Sequence, residues 1–569
     1  MSAAVRAAWL AAAVLFLTGQ GFGEPEEAAP LPSETPLPLE TPLPLEAPIP
    51  SEAPIPSFEE LEALGAVIGT IRLDPRNIYD LSDPKENSWP YRLANRLHVR
   101  TRPETVAKYL LFKTGDRVSA RAIAESERLL RGNRYLHDVE IRPTAYRDGV
   151  VDIEVITRDS WTLDPGLSIA RSGGANSSRV YANEKNLAGW GVSVGVNYSK
   201  NVEHAGTQLS YSDKHFFFPW TSLDASVSRL DDGSQWSLGF GRPFYATDTP
   251  WAAGISASHS DALNSIFDRG ERVAAYRALQ SAYRVSGGIS SPAPSGAVRR
   301  YTAGYDYQSA AYAIEPGQTP PAQLPRDLVL SGPFVGYEVV NASYEKVLNR
   351  EQIGRTEYFA LGTAAGVQLG RSFTTLGGTV DGWIVSLSAS HGMYLFRSHS
   401  LFASASLSGR LEEGQRQNQL FSALARYFIP QRRDAAFMIA ANVDVYRNPD
   451  RTAPLQLGGD NGLRGYPLSF QSGERRALLT LEQRVYTDWY PYRVVRVGAA
   501  VFADAGRAWN GAGEQSAGQR VLTDAGFGLR FTNPRTATGT ILHADIAFPA
   551  NARNEIKSVQ YLLKSSTVF

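Results

Sequence analysis

The residue pattern of 161–569 constrains the fold of this chain more than any other feature. Turn signals divide this stretch into segments of about ten residues in which apolar and polar residues alternate. Because successive side chains of a β-strand point to opposite faces, each segment is typical of a strand with one apolar face. We expect roughly 16 to 20 such strands, an even number. Examples are Val192–Tyr198, Gln208–Lys214, Gln235–Phe240, Tyr301–Tyr307, Leu401–Leu407 and Phe437–Val445.

The connections between these segments favour a transmembrane antiparallel β-barrel. Short connections such as Ala246–Pro250 and Pro430–Asp434 alternate with long ones such as 309–331 and 447–474. Outer-membrane barrels have short turns at one end, long loops at the other, and aromatic girdles at both membrane interfaces. The chain has 26 Tyr and 24 Phe, and aromatic residues concentrate near the short connections, as a girdle would require.

The amino-terminal pattern indicates export. Arg6 precedes the apolar run Ala7–Leu17, which predicts a signal peptide over residues 1–23. The run is shorter than the roughly 18 residues of a membrane-spanning helix, and no later stretch reaches that length. We therefore expect a barrel in the outer membrane of a Gram-negative bacterium. A soluble array of β-sandwiches is the alternative, although the chain has no Cys to staple exported domains.

Residues 24–65 are predicted to be a Pro/Glu-rich linker in the periplasm. Four tandem hexapeptides occupy 34–57, and 24–62 contains ten Glu but no Lys or Arg. Proline at this density excludes helix and sheet and favours polyproline II, so the repeats reach on the order of 75 Å. We interpret the linker as a semi-rigid spacer. A docking tail for a periplasmic partner is the alternative.

Residues 66–160 have a different periodicity, which predicts a small α/β domain of order β-α-α-β-β. Val67–Leu73 reads as the first strand. Thr101 begins a capping-box pattern for one helix, and Ser119 is placed to cap a second helix that ends near Gly132. Two alternating strands follow, around 139–141 and 151–155, with a turn at Arg147-Asp148-Gly149.

The sequence contains no evident catalytic or metal-binding constellation. Gly191–Gly195 matches G-x-S-x-G, but a nucleophile elbow turns into a helix, whereas this segment continues as a strand. The eight His have no paired-ligand spacing, and the absence of Cys excludes thiolate ligands. No basic block indicates nucleic-acid binding. We expect a non-enzymatic protein without a metal or cofactor.

The predicted α/β domain resembles a POTRA domain, the periplasmic module that precedes outer-membrane translocation barrels. Gly115-Asp116, the helix after it and Tyr135-Leu136 before a strand carry the resemblance. It implies binding of unfolded outer-membrane or secreted protein clients, or of periplasmic partners, by pairing at a sheet edge. By resemblance that edge is the strand near 138–144. A spacer or a support for a plug is the alternative.

Short motifs in the barrel region resemble the BamA/TamA-type family of outer-membrane assembly barrels. Leu463-Arg464-Gly465-Tyr466 resembles the (V/I)-R-G-(F/Y) loop motif of that family. Phe502-Ala503-Asp504-Ala505-Gly506 resembles its F-x-D-x-G strand motif, Glu482 a third family position, and the terminal Phe569 its assembly signal. The resemblance implies that the loop folds back into the barrel, where Arg464 meets the strand carboxylates.

Strand parity, taken from the residues alone, places both carboxylates on the inner face. Every second residue from Val495 to Ala505 is apolar, so Asp504 belongs to the opposite, lumen face of its strand. The strand around Glu482 alternates in the same way. Both carboxylates therefore point where an in-folded Arg464 can reach.

The expected hairpin separates these two carboxylates along the strands. A turn centred near Tyr490 sets Glu482 opposite Gly498, well below Asp504. We therefore rank Asp504 ahead of Glu482 as the partner of Arg464, and contact with Glu482 or with both is left open. The alternative is a surface loop, with Asp504 paired to Arg476 or Arg496.

These features predict a barrel in outer-membrane lipid that inserts or translocates proteins, or lipids, by strand exchange at a seam, without a bound energy source. The client is not readable from the sequence. A passive pore or a surface-binding barrel is the alternative from another class, but neither requires the POTRA-like domain or the Arg464 loop. A two-partner-secretion-type export pore is a variant of the first class. Such pores usually have two POTRA domains and a plug helix, whereas this chain has one such domain and a Pro-rich tail.

Deletion of Phe569 tests the expected assembly signal. The last strand reads Tyr561-x-Leu563-x-Ser565-x-Thr567-x-Phe569, an amphipathic terminal strand that assembly machinery can recruit by edge pairing. We expect the deletion to lower the amount of protein in the outer membrane and to leave degraded chain in the periplasm. Equal amounts of heat-modifiable barrel in the variant and the wild type would contradict this prediction.

Overall fold

The computed structural model describes residues 55–172, 175–268, 271–293, 296–396, 398–432, 434–450, 455–510, 520–537, 539–551 and 556–566. The predicted signal peptide, most of the predicted linker and Phe569 lie outside these ranges. None of the helices in the described ranges is long and apolar enough to cross a membrane. The first elements are α1 (Phe58–Ala63), β1 (Val67–Arg76), α2 (Trp89–Leu97), α3 (Pro103–Ala107), α4 (Ala120–Arg131), β2 (Leu136–Arg147) and β3 (Val150–Asp159), together called the amino-terminal module.

The three strands of the amino-terminal module form a mixed sheet in the order β1-β3-β2. β1 runs parallel to β3, and β2 runs antiparallel to it. Helices and sheet enclose an apolar core that includes the fully buried Leu61, Leu130 and Ile153. The predicted β-α-α-β-β order is therefore confirmed, with β2 at an edge of the sheet. Helices α1 and α2 are additions that the sequence pattern does not predict.

One of the two predicted helix caps is present. The Ser119 side chain accepts a hydrogen bond from the Ala122 amide at the start of α4, as predicted. The cap at Thr101 is wrong, because Arg102 occupies the N-cap position of α3. The Thr101 hydroxyl instead donates to Asp159 Oδ1 at 2.7 Å, since that buried carboxylate needs donors more than the exposed helix end does.

The described residues after the module form a closed antiparallel barrel of twenty strands. This number lies within the predicted range and is even. The barrel strands are β4 (Leu163–Ser172), β5 (Ala175–Glu184), β6 (Ser193–Lys200), β7 (Ala205–Asp213), β8 (Ser222–Leu230), β9 (Ser234–Arg242), β10 (Trp251–Asp268), β11 (Glu271–Pro292), β12 (Val298–Ala313), β13 (Leu328–Leu348), β14 (Thr356–Ser372), β15 (Gly382–Leu395), β16 (His399–Glu412), β17 (Gln415–Arg432), β18 (Ala435–Arg447), β21 (Arg475–Tyr486), β22 (Arg496–Trp509), β23 (Leu522–Thr532), β24 (Ile541–Pro549) and β25 (Gln560–Ser566). Between β18 and β21, β19 (Leu455–Leu457) and β20 (Gln471–Gly473) form a separate two-stranded sheet.

The outward face of the barrel is apolar, as the alternation predicts. Ile255, Val285, Val335 and Val501 are each more than half exposed, although every strand of the barrel is paired. Exposed apolar area in water costs about 25 cal/mol per Å² relative to burial, so a belt of such side chains favours hydrocarbon surroundings. The predicted strand around Gly195 is confirmed as well, because β6 continues through it without a turn.

The two ends of the barrel differ in their connections. The long connections 314–327 and 448–474 lie at the end away from the amino-terminal module. The expectation of uniformly short turns at the other end, here called the module end, is only partly right. Its connections 185–192, 214–221 and 533–540 have eight residues each, because they pack against the module.

The barrel closes where β25 meets β4, a junction here called the seam. Among the described residues, the register of the seam joins one pair, Leu563 with Arg171. The neighbouring ladders are longer, since β24 and β25 pair over seven residues and β4 and β5 pair over ten. In the described part of the barrel, the seam therefore has the fewest paired backbone positions.

The amino-terminal module lies across the mouth of the barrel at the module end. Its residues contact six connections that are distributed around the whole circumference, from β5–β6 to β23–β24. The contacts within the described ranges include Thr105 with Gly189, Asn133 with Lys214, Glu125 with Thr247, Leu136 with Arg355, Tyr91 with Tyr492, and Glu86 with Arg535.

Two histidines, half-buried His137 and buried His215, belong to this contact between module and barrel. His137 Nδ1 lies 3.1 Å from the Pro534 carbonyl oxygen, to which it donates, and the His215 ring packs edge-on against Tyr109. Burial lowers the pKa of His137 to about 4, with a further lowering by Arg535. Burial is also the main cause that lowers the pKa of His215 to about 4. Both rings are therefore neutral while the module is docked at neutral pH.

Acidification is expected to loosen the module from the barrel. An exposed histidine has a pKa of about 6.5, so the docked state binds fewer protons than the released state below that pH. Docking is most favourable above about pH 6.5 and weakens as the pH falls toward about 4, by up to about tenfold per pH unit for each histidine. Hydrogen exchange of β2 and of connection 533–540, corrected for intrinsic rates, measures this release.

The double variant His137→Gln/His215→Gln is the control for this prediction, because its side chains do not titrate. It should show the same corrected exchange at both pH values. Equal protection of the wild type at about pH 7 and about pH 5 would refute the assignment of the two histidines.

Candidate functional site

The connection between β18 and β21 folds into the barrel. Within its described part, Leu457, Leu463 and Tyr466 are fully buried and pack with residues of the barrel wall. A loop on the surface would expose these side chains to water. The surface-loop alternative is therefore wrong.

Two glycines give this loop its path. A Cβ at Gly462, which has φ +96°, would lie 2.3 Å from a leucine side chain of β21. A Cβ at Gly465 would lie 2.6 Å from the Cβ of Asp524 on β23. Only glycine allows the backbone to approach the wall this closely at both points. The chain between them carries Leu463 and Arg464 into the barrel.

Arg464 binds both predicted carboxylates. Its Nε and Nη2 donate to the two oxygens of Asp504 at 2.8 and 3.2 Å, and its Nη1 donates to Glu482 Oε2 at 2.8 Å. The guanidinium carbon lies 3.3 Å from the centroid of the Phe502 ring, as a cation–π contact requires. The carboxylates of Glu482 and Asp504 are almost fully buried. Because water is almost excluded, Arg464, Glu482 and Asp504 stabilise one another's charges.

Arg464 reaches Glu482 as well as Asp504 because the predicted register of Glu482 is wrong. Glu482 pairs opposite Phe502, not opposite Gly498, because the turn between β21 and β22 is centred two residues further along the chain than predicted. Glu482 and Asp504 are therefore diagonal neighbours on the inner face, close enough for one guanidinium to bridge them.

The residues of the F-x-D-x-G motif have separate physical roles. Phe502 supplies the surface on which the guanidinium stacks, and Asp504 supplies both oxygens of the bidentate contact. The Thr480 hydroxyl donates to Asp504 at 2.7 Å and fixes its orientation. A Cβ at Gly506 would lie 3.2 Å from Leu457, so this glycine leaves room for the folded loop.

The two residues after Arg464 attach the loop to the next strands. The Gly465 amide donates to Asp524 Oδ2 at 3.0 Å. The Tyr466 hydroxyl lies 2.9 Å from the Thr523 carbonyl oxygen and 3.0 Å from that of Asn551. The loop is therefore held by β21, β22 and β23 together.

The site extends beyond the residues selected from the motifs. Arg484, whose inward position follows from parity, donates to Glu482 at 2.9 Å. Arg530 on β23 pairs with Asp545 on β24, and its Nη2 lies 3.8 Å from Glu482. Inward positions on β23 and β24 alternate with outward apolar residues, so strand alternation also indicates that Arg530 and Asp545 point inward. The Arg464 cluster comprises Arg464, Arg484, Arg530, Glu482, Asp504, Asp524 and Asp545.

The alternative partners of Asp504 are engaged elsewhere. Arg476 Nη2 lies 2.8 Å from Asp444 Oδ2, and the Arg496 guanidinium stacks on the Tyr490 ring at 4.9 Å. The predicted assembly residue Phe569 lies outside the described residues.

A group of possible metal ligands lies outside this site. His204, Asp231 and Asp232 place ligand atoms within 4.8 Å of one another. His204 Nδ1 is 2.7 Å from Asp232 Oδ2, an ordinary hydrogen bond that explains their proximity. The Arg464 cluster itself pairs guanidinium groups with carboxylates.

Comparison with known proteins shows likeness of fold only. No family model and no curated protein matches the chain. BamA from Haemophilus ducreyi lacking POTRA domains 1–3 is 16% identical with a TM-score of 0.36, covering 89% of this chain and 85% of that one. CdiB from Acinetobacter baumannii is 14% identical with a TM-score of 0.44, covering 88% and 73%. CdiB from Escherichia coli is 14% identical with a TM-score of 0.46, covering 89% and 77%.

Removing either partner of the central ion pair should release the loop. Arg464→Ala leaves the buried Asp504 carboxylate without its guanidinium partner, although Glu482 keeps Arg484. Asp504→Ala leaves the Arg464 guanidinium without its bidentate partner. Breaking a buried pair typically costs about 3–5 kcal/mol, and less in a wet lumen. We expect both variants to keep a heat-modifiable barrel but to gain protease cleavage within 448–474. Arg464→Lys should rescue only in part, because an ammonium cannot make the bidentate contact.

A double variant and a matched control complete this test. Arg464→Ala/Asp504→Ala should be no worse than either single variant, because the two residues act as a unit. Arg284→Ala removes an inward arginine of β11 whose bidentate partner is Asp306 on β12 and not the loop, and it should leave the loop resistant to protease. Additive single defects with a protease-resistant loop would show that the pair does not hold the loop.

Proposed function

We propose that this protein is an outer-membrane barrel that inserts or translocates protein chains at its seam. The observation that carries the proposal is the pairing of β4 with β25, which share one described pair, whereas the other neighbouring strands of the barrel pair over seven residues or more. Strand edges without a partner present N–H and C=O groups to an incoming strand. A client strand can therefore extend the wall of the barrel at this point.

Strand addition explains how such a barrel acts without a catalytic step or bound energy source. An unfolded chain cannot enter hydrocarbon alone, because each unsatisfied backbone group costs several kcal/mol there. A client strand paired to an edge of the seam has these groups satisfied on one side before it enters lipid. The apolar face of the client then supplies the favourable free energy as it is transferred from water.

The Arg464 cluster supports this proposal by bracing the wall next to the seam. Its members come from the loop and from β21, β22, β23 and β24, which are four consecutive strands. The last strand, β25, contributes none of the residues that define the cluster. Opening of the seam can therefore move β25 while the strands before it keep their register.

The edge strand β2 is a second pairing surface in this proposal. Two features limit the positions of β2 at which a partner strand can pair. Arg131 of α4 donates to the Val139 carbonyl oxygen, and Pro143 has no N–H to offer. Pairing with clients or periplasmic partners is therefore centred on Ile141, within the stretch 138–144 given by the sequence.

A passive pore is less well supported than strand addition. The amino-terminal module lies across one mouth, and the loop of Arg464 folds in from the other end.

Export through the barrel, as in a two-partner-secretion-type pore, is favoured by one observation. A cavity in the lumen is lined mainly by uncharged polar side chains, which suit the passage of an extended chain; they include Gln208, Ser237, His259, Gln280 and Ser281.

A disulfide across the seam tests the proposal. The chain has no Cys, so Arg171→Cys/Leu563→Cys introduces the only thiols, at positions that pair directly. Paired positions on antiparallel strands lie about 4.5–5.5 Å apart, which a disulfide can span. Insertion of an unfolded outer-membrane protein into vesicles that contain the variant should fall to the level of empty vesicles. Addition of a reductant should restore it.

The control for this experiment is a disulfide at an ordinary ladder. Leu209→Cys/Val227→Cys joins β7 to β8 at another directly paired position and should leave insertion unchanged. A seam-locked barrel that inserts clients as well as its reduced form would overturn the proposed function.

A further inference from the structure

Helix α2 presents an apolar stripe that neither the module core nor the barrel covers. Trp89, Leu93 and Leu97 are 57%, 36% and 64% exposed and recur every four residues, so they line one side of the helix. Tyr91, on the opposite side, is buried. Contiguous exposed apolar side chains of this kind mark an interaction surface.

Basic residues accompany this stripe. Arg92 and Arg96 are exposed on the same side of α2, the helix has no acidic residue, and Arg100 follows it. An amphipathic helix with Trp and Leu on one face and Arg beside them is typical of helices that lie in a membrane interface. The aliphatic stem of arginine packs along apolar surface while its guanidinium reaches headgroup phosphates.

Helix α2 is held at the module end of the barrel wall, beside the strands that precede the seam. Tyr91 and the residues that flank the helix contact the connections β21–β22 and β23–β24 and the last residue of β3. These contacts are Tyr91 with Tyr492 at 2.5 Å, Glu86 with Arg535 at 2.7 Å, and His98 with Asp159 at 2.8 Å.

The neighbouring connection marks the level of the membrane boundary. Trp489 and Tyr492, in the connection that binds Tyr91, are 63% and 85% exposed. Exposed aromatic residues at the ends of barrel strands form the interfacial girdle. Helix α2 is therefore attached through Tyr91, on the side opposite its stripe, to the connection that carries these girdle residues.

We propose that α2 lies on the phospholipid leaflet at the module end of the barrel. Trp89, Leu93 and Leu97 enter the boundary between headgroups and acyl chains, and Arg92 and Arg96 bind phosphates of anionic headgroups. This inference rests on the membrane location in the proposed function. It adds a lipid contact that fixes the amino-terminal module beside the seam, where a client strand enters.

Site-specific fluorescence in vesicles tests the lipid contact. Because the chain has no Cys, Leu93→Cys or Leu97→Cys can carry one environment-sensitive fluorophore at a single position. The full chain is reconstituted in phosphatidylcholine vesicles with or without phosphatidylglycerol, and quenching by lipids brominated in their acyl chains is measured. Labels at both positions should be quenched, and more strongly with the anionic lipid.

Two further labels make the result interpretable. Val150→Cys is a matched control, since Val150 is also exposed and apolar but lies nine residues along β3 from Asp159, on the order of 30 Å away. Val501→Cys, on the outward face of β22, reports the membrane location of the barrel itself. We expect quenching at Val501 and none at Val150.

Each outcome separates the inference from the proposed function. Quenching at Val501 with Leu93 behaving like Val150 overturns the lipid contact of α2 and leaves the proposed barrel in place. Absence of quenching at Val501 overturns the membrane location on which both depend. Protection of Leu93→Cys from thiol reagents in cells, without quenching in vesicles, assigns the stripe to a protein and overturns the inference. Arg92→Gln/Arg96→Gln should abolish the effect of the anionic lipid, and an unchanged effect would overturn the role of the arginines.

Discussion

The pairing of the Arg464 guanidinium with Glu482 and Asp504 is the interaction on which the rest of the site depends. A guanidinium taken out of water is unstable unless carboxylates with matching geometry surround it. Here those carboxylates come from two strands, so the contact exists in one register only. A slip of one residue would turn either carboxylate toward the outer face. The glycines at 462, 465 and 506 then follow, because each allows the loop backbone or a loop side chain to lie against the wall.

The Arg464 cluster links β21 to β24, whereas the strands around the seam are held by short ladders. Strands β4 to β9 have eight to ten residues and β25 has seven, whereas β10 to β14 have 16 to 22. Fewer backbone hydrogen bonds hold each short strand, so local opening costs least there. The four strands tied together by the Arg464 cluster end one strand before the seam. A braced part of the wall and a part held by fewer backbone hydrogen bonds thus lie side by side, as the proposed strand addition at the seam requires.

Much of this architecture was predictable because it depends on local periodicity. Alternation predicts the barrel and the inward positions of Glu482 and Asp504, and the turn at Asp148-Gly149 follows from residues that tolerate positive φ, here 52° and 79°. The errors arise where distant parts of the chain meet. The predicted Thr101 cap is absent because the Thr101 hydroxyl donates its hydrogen bond to Asp159, 58 residues later. Helix α2 is missed because it spans only nine residues, which carry three large apolar side chains at helical spacing and so give a weak periodic signal. The register of Glu482 depends on a turn whose centre alternation does not specify.

The charged side chains of the barrel wall explain why the loop is stable in its inward position. Asp504 and Asp524 lie directly opposite each other on β22 and β23, an arrangement that destabilises a sheet when both side chains are ionised. The loop relieves it by placing the Arg464 guanidinium on Asp504 and the Gly465 amide on Asp524. Withdrawal of the loop would leave four carboxylates facing the two guanidinium groups that remain in the cluster. The wall carboxylates therefore attract the loop when it is inside and repel one another when it is absent. For both reasons the strands next to the seam have their lowest free energy with the loop inside the barrel.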